Sequence, residues 1–370
     1  MRRGRATRAG AARYAQRFLC SHPGAAPSHF RLADDGLLLS SIGLGTYLGE
    51  PDDRTDERYR ESIRLALGLG CNVIDTAINY RFQRSERAIG VALDEAILDG
   101  TVARDEVFLS TKGGFLSFEP GWSGQTDRWI TETFVVPRIA SADDFVHGHC
   151  MSPAYLRHQI SQSRKNLGVD CIDLYYLHNP ESQLPYIRPP EFMRRMTAAF
   201  EELEAAVARG EIAGYGTATW NAYRQPLKSH NHLSLESVLE IARTVAGDRH
   251  HFCAVQLPLN MLLAEALLEP TQLHKGEMCT LLEVSLDLGI SVYASASIMQ
   301  GRLAAGLPAG LRDKFPGCAI DAQRALQFAR STPGLTSALV GMSSPEHVRQ
   351  NMALTHIPPL DVASFSALFE

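Results

Sequence analysis

Apolar runs of four to seven residues alternate with longer amphipathic stretches eight times between Ile42 and Leu354, and few architectures accept that rhythm. Runs at 42–46, 72–75, 107–112, 172–178, 212–217, 252–257, 290–295 and 336–341 read as buried strands. Between and after them, 55–70, 84–98, 152–167, 190–209, 233–246, 273–288, 319–331 and 344–354 read as helices, with Thr55 and Ser344 as candidate N-caps. Strands that alternate with helices imply a parallel sheet. Eight such units favour an α/β fold of the closed (β/α)8 TIM-barrel type over an open doubly wound sheet. No G-x-G-x-x-G follows the first strand, which weakens the dinucleotide-fold alternative. In front of the barrel, FRLADDGLLLSS (30–41) is two short runs split by Asp34-Asp35-Gly36, the signal for an N-terminal β-hairpin. Residues 1–28 stand apart: Arg2, Arg3, Arg5, Arg8, Arg13 and Arg17 precede any acidic residue. With no apolar segment beside them they are expected to form a basic, solvated or poorly ordered arm on a single barrel domain, 29–370.

Charge and cysteine usage narrow the function classes. The formal net charge of -5 argues against a nucleic-acid footprint. No apolar run approaches the roughly 18 residues that a membrane span needs. Seven scattered cysteines without a C-x-x-C pair fit a reducing, cytoplasmic setting rather than a disulfide framework.

Three connections exceed what a barrel needs, and all leave C-terminal strand ends: 113–151, 179–190 and 218–232. Loops this long are functional or disordered. Their aromatic residues, Trp122, Trp129 and Tyr186 among them, are expected to wall a roomy pocket, with 113–151 as its lid.

Three successive strands deliver chemistry to that face. NVIDTAINY (72–80) ends its strand at Asp75 and carries Tyr80 just beyond; VFLSTK (107–112) ends in Lys112; IDLYYLH (172–178) ends in His178. A carboxylate on a buried strand needs a cationic partner, and Lys112 supplies one. A free phenol has a pKa near 10, and an adjacent ammonium lowers it. With an imidazole to orient a carbonyl oxygen, the four groups form a general-acid relay. No nucleophile has its own base, so acyl-enzyme hydrolysis is disfavoured. Carbonyl reduction suits the set, but it requires a hydride that no side chain provides, hence a nicotinamide cofactor. Each residue alone has a structural explanation: a capping Asp, a neutralising Lys, an exposed phenol, a core histidine.

Set in IDTAINYRFQRSERAIG, FLSTK and DLYYLHNPE, the order Asp75, Tyr80, Lys112, His178 resembles the aldo-keto reductase superfamily over about 30–355. The resemblance implies NAD(P)H extended across the C-terminal face of the barrel. It assigns Tyr80 as proton donor, Lys112 and Asp75 as its tuning pair, and His178 as the group that orients an aldehyde, ketone or sugar substrate. Cofactor contacts are implied at Gly45, Thr46, Thr219, Gln256 and Ser295. In LVGMSSPEHVRQN (339–351) they fall at Gly341, Met342, Ser343, His347, Gln350 and Asn351. GTATW (216–220) places Ala218 and Thr219 where relatives carry Ser-Asn, and Ser295 stands where a Tyr commonly stacks, unless Tyr293 substitutes. NADP(H) is the family's default, although Gly341 and His347 stand where a Lys and an Arg often hold its 2′-phosphate.

A nicotinamide-nucleotide-binding regulatory or redox-sensing barrel is the alternative reading, and a metal-dependent hydrolase or lyase a third. HGHC (147–150) has the ligand types for a metal but no fourth ligand, and reads as a surface or pocket-rim cluster. No metal is expected.

Overall fold

The computed structural model describes residues 1–370. A short antiparallel hairpin, β1 (Phe30–Leu32) and β2 (Leu38–Ser40), precedes the barrel strands β3 (Ile42–Gly45), β4 (Val73–Asp75), β5 (Phe108–Gly113), β6 (Leu174–His178), β7 (Tyr215–Ala218) and β8 (Phe252–Pro258). A second hairpin, β9 (Gln272–His274) and β10 (Glu277–Cys279), interrupts them before β11 (Ser291–Ser295) and β12 (Leu335–Gly341). Strands β3 to β8, β11 and β12 close into one parallel eight-stranded barrel, β12 pairing back onto β3. The expected fold is therefore present, with each strand within two or three residues of its sequence-derived position.

The helices are α1 (Arg8–Ser21), α2 (Asp53–Gly68), α3 (Arg84–Leu98), the short α4 (Thr126–Ile130), α5 (Pro153–Leu167), α6 (Pro189–Ala208) and α7 (Leu235–Ala246). They continue with α8 (Glu265–Leu268), α9 (Leu281–Leu288), α10 (Leu311–Lys314), α11 (Asp321–Ser331), α12 (Pro345–Met352) and α13 (Val362–Ser366). None is long and apolar enough to cross a membrane. The N-cap of α2 is Asp52, whose carboxylate accepts from the Thr55 N–H, one turn earlier than expected. Ser344 caps α12 as read from the sequence, and Pro345 occupies its first position.

The lumen is filled, not hollow. Phe108 and Tyr293 stack at 5.8 Å, Tyr176 meets Tyr293 edge-on at 6.5 Å, and Val73, Leu174 and Leu339 pack around them. Leu37 and Leu39 of the leading hairpin join this cluster and plug the N-terminal end. Tyr293 is thereby committed to the lumen and does not substitute for a stacking tyrosine at the C-terminal face.

Three expectations are corrected. The basic arm is ordered: α1 lies under the barrel with Tyr14 and Phe18 in the main core. Its arginines are counterbalanced from elsewhere in the chain, Arg13 and Arg17 both reaching Glu106 at 2.9 and 2.6 Å, with Arg13 also on Asp105 at 2.7 Å. A Cβ at Gly10 would stand 2.1 Å from the Asp105 carbonyl oxygen, so only glycine permits this approach. Second, 273–288 is not one helix. Lys275 (φ 51°) and Gly276 (φ 87°) turn the β9–β10 hairpin, and the helix starts at Leu281 after the Thr280 cap. Third, the 113–151 connection folds on itself. Phe118 stacks on Trp122 at 3.9 Å, Trp129 meets Phe134 at 5.1 Å, and Phe134 packs on Tyr155 of α5. Its tryptophans bury one another against α5 and line no part of the central cavity, and Tyr186 instead stacks on His147 at 3.7 Å.

Candidate active site

The strand ends β3, β4, β6, β7, β8, β11 and β12 surround a cavity of about 610 Å³ on the C-terminal face. At one end of it the four sequence-derived residues converge. Lys112 Nζ donates to Asp75 Oδ2 at 2.6 Å and to the Thr76 carbonyl at 2.6 Å, and the lysine is 1% exposed. The other carboxylate oxygen of Asp75 accepts from Ser110 Oγ at 2.7 Å and Gln256 Nε2 at 2.9 Å. The Lys112 ammonium lies over the Tyr80 ring, 5.2 Å from its centre. Tyr80 in turn meets His178 edge-on at 5.9 Å and Tyr47 at 5.0 Å.

Local backbone geometry explains how Tyr80 is held. Its N–H donates to the Ala77 carbonyl, and the Ile78 N–H donates to the Lys112 carbonyl, tying the turn to β5. Beyond it Arg81, Phe82 and Gln83 are left-handed in succession, at φ 50°, 56° and 66°. For non-glycine residues this costs about 1–3 kcal/mol each. Side-chain clamps offset it: Arg81 donates to the Glu50 carbonyl and to Asp56, and Gln83 Nε2 donates to the Ser117 carbonyl. The left-handed run turns the chain sharply into α3 and leaves Tyr80 facing the barrel axis.

His178 is held from behind. Its carbonyl accepts from His149 Nε2 at 2.8 Å, and His149 Nδ1 accepts from Gln183 Nε2 at 2.9 Å. His149 is thus a buried neutral histidine behind the site, not the surface or rim residue expected of HGHC, and no cluster there could hold a metal ion. Burial holds it down to about 4. A Cβ at Gly114 would stand 2.5 Å from His149 Nε2, which explains the glycine.

Burial dominates the electrostatics. It pushes the Tyr80 phenol well above its ordinary range, with Asp75 and Tyr47 adding to the effect. It lowers Lys112, against the pull of Asp75, and it lowers His178 far enough that the imidazole is neutral, with Lys112 and His149 contributing. Lys112 was expected to depress the phenol; here burial sets the direction, and the ammonium, 5.2 Å from the ring centre, is not among the groups that shift it.

The remaining sequence-derived residues divide. Gly45, Thr46, Thr219, Gln256, Ser295, Gly341, Ser343, His347, Gln350 and Asn351 all line the cavity. Met342 does not: its side chain is fully buried in the main core. Gln256 shares its amide with Asp75 rather than standing free. Residues missed from sequence include Tyr47, Asn79, Phe115, Asn179 and Trp220, which form the wall around Tyr80 and His178. Most sit one position from a residue already singled out, and neighbours of a strand-end residue stay on the rim. Glu181 fixes Trp220, one carboxylate oxygen accepting its N–H at 2.7 Å.

Three buried polar atoms on these walls have no partner: Thr219 Oγ1, His178 Nδ1 and Asn79 Oδ1. Leaving such atoms unmatched costs about 1–3 kcal/mol each, so a site built this way is complementary to a polar ligand. A nicotinamide carboxamide next to Thr219 and Gln256, and a carbonyl oxygen next to Tyr80 and His178, fit these groups.

The "6-dehydroglucose reductase" of Novosphingobium aromaticivorans is 26% identical over 319 residues, 85% of this chain and 82% of that protein. "Aldo-keto reductase YhdN" of Bacillus subtilis is 32% identical over 169 residues, 45% of this chain; the match spans 42% of the relative, less than half its length. Among solved structures, an aldo-keto reductase from Klebsiella pneumoniae in complex with NADPH superposes with a TM-score of 0.59 at 21% identity, covering 92% of this chain and 93% of that one. The model of the Aldo/keto reductase family matches residues 41–306. A match over most of the chain, on a barrel of this topology, means that the protein belongs to the aldo/keto reductase family.

Proposed function

We infer that this protein is a nicotinamide-dependent oxidoreductase that reduces an aldehyde, ketone or sugar carbonyl, with Tyr80 as general acid. The observation that carries this reading is the convergence of Tyr80, Lys112, Asp75 and His178 at one end of a cavity whose walls hold unpartnered polar atoms. When bound, the dinucleotide supplies the hydride. NADPH in the Klebsiella structure supports such a cofactor. For NADP(H) over NAD(H) in this chain the resemblance is the one support.

The residues divide the remaining work. A phenol held above its ordinary pKa keeps its proton at neutral pH, which suits donation to the oxygen of a carbonyl under reduction. Lys112, fixed over the ring by Asp75, stabilises the phenolate left behind. Neutral His178 offers a hydrogen bond that orients the substrate oxygen. Phe115 and Tyr47 pack edge-on against His178 and Tyr80 at the reacting end. Seven unpaired cysteines support the expected reducing, cytoplasmic setting.

The test is nucleotide oxidation followed at 340 nm with a panel of aldehydes, ketones and aldoses. Turnover with at least one carbonyl class is expected. Tight nucleotide binding with no turnover across the panel would move the chain to the binding-only alternative.

A further inference from the structure

The cavity continues from the Tyr80 end to the turn between β12 and α12, where Gly341, Ser343, His347, Gln350 and Asn351 line it. No lysine or arginine lines the cavity anywhere along its length. Of the cations nearby, Arg312 is exposed in an adjoining pocket that shares Ala304 and Ile320 with this cavity, away from the β12–α12 turn. Arg324 is paired with Asp321 at 2.7 Å and donates to the Cys318 carbonyl, and Arg349 is exposed on the far side of α12. A negative group instead borders this end: the Glu346 carboxylate accepts from Gln350 Nε2 at 3.1 Å. Ser344 Oγ is already used in capping α12.

A 2′-phosphate carries about −1.5 to −2 charge at neutral pH and is held by charge-assisted hydrogen bonds from cations. Here it would meet neutral donors and a carboxylate. A ribose 2′-hydroxyl, by contrast, is neutral and suits Ser343 and Gln350, which can both donate and accept. We propose that this chain discriminates against the 2′-phosphate and takes NAD(H) in preference to NADP(H), with Ser343 and Glu346 as the residues that set the choice. The proposal rests on the assignment of this cavity to a nicotinamide dinucleotide, and it runs against the default that family resemblance implies.

Calorimetric titration at pH 8, above the ordinary imidazole pKa of about 6.5, tests it without catalysis. The probes are NADH, NADPH, ADP-ribose and 2′-phospho-ADP-ribose. The unphosphorylated member of each pair is expected to bind at least about 10-fold tighter, the worth of one charge-assisted contact. Ser343→Arg should raise the NADPH-to-NADH affinity ratio at least about 10-fold, and Glu346→Gln should raise it about 2-fold by removing a screened surface charge. Equal or tighter binding of the phosphorylated probes to the wild type would overturn the proposal while leaving the reductase assignment standing. Failure of all four probes to bind would overturn both.

Discussion

Replacing Lys112 by Met tests the linchpin of the site through stability alone. The substitution keeps most of the side-chain volume and removes the ammonium. Asp75 then retains Ser110 and Gln256 on one carboxylate oxygen, but loses the 2.6 Å contact on the other. Orphaning one member of a buried pair costs about 3–5 kcal/mol. The two surviving hydrogen bonds place Lys112→Met near the lower figure, about 3 kcal/mol. Asp75→Asn strands the ammonium with the Thr76 carbonyl as its remaining partner and should cost a similar amount. The double variant buries no net charge and should cost less than the two singles together, leaving a coupling of about 2 kcal/mol. Urea unfolding with an unchanged m-value measures all three. Single-variant losses below about 1 kcal/mol that simply add would mean that the pair is not desolvated as the geometry requires.

Other outcomes follow from neighbouring features. Burial keeps His149 down to about 4 and His29 to about 3, so the unfolded chain, with imidazoles near 6.5, binds protons that the folded one does not. Their contribution is complete above pH 6.5 and is lost as pH falls toward those values, up to about 3 kcal/mol for His149; a flat stability profile between pH 7 and 4.5 would contradict it. Phe18→Ala, which empties a site between α1 and Phe30, should cost about 3 kcal/mol, whereas a solvated arm would give no change in urea midpoint. Thr219→Val removes the unpartnered hydroxyl and should weaken nucleotide binding about 10-fold by calorimetry while leaving the fold at least as stable.

What could be read from sequence was the part governed by local pattern. Barrel strands declared themselves through apolar runs, and Asp75, Lys112 and His178 through their position at the ends of those runs. What escaped was set by partners distant in the chain. Charge counting made 1–28 look solvated because Glu106, the acid that answers Arg13 and Arg17, lies about ninety residues on. Trp122 and Trp129 looked like a substrate wall because aromatic content cannot say whether rings face a cavity or each other. Met342 fell one residue from cavity-lining neighbours, yet just past the end of β12 its side chain packs into the core. The Lys275-Gly276 turn was present as a local signal and was overridden by the apolar period of the segment after it.

The proton-donor role of Tyr80 is tested most directly by single-turnover nucleotide oxidation in Tyr80→Phe, with cofactor affinity measured alongside by calorimetry. The variant should bind the dinucleotide within about 3-fold of the wild type and transfer hydride about 10²–10⁴-fold more slowly. A transfer rate equal to the wild type, at equal occupancy, would show that the carbonyl oxygen receives its proton from elsewhere.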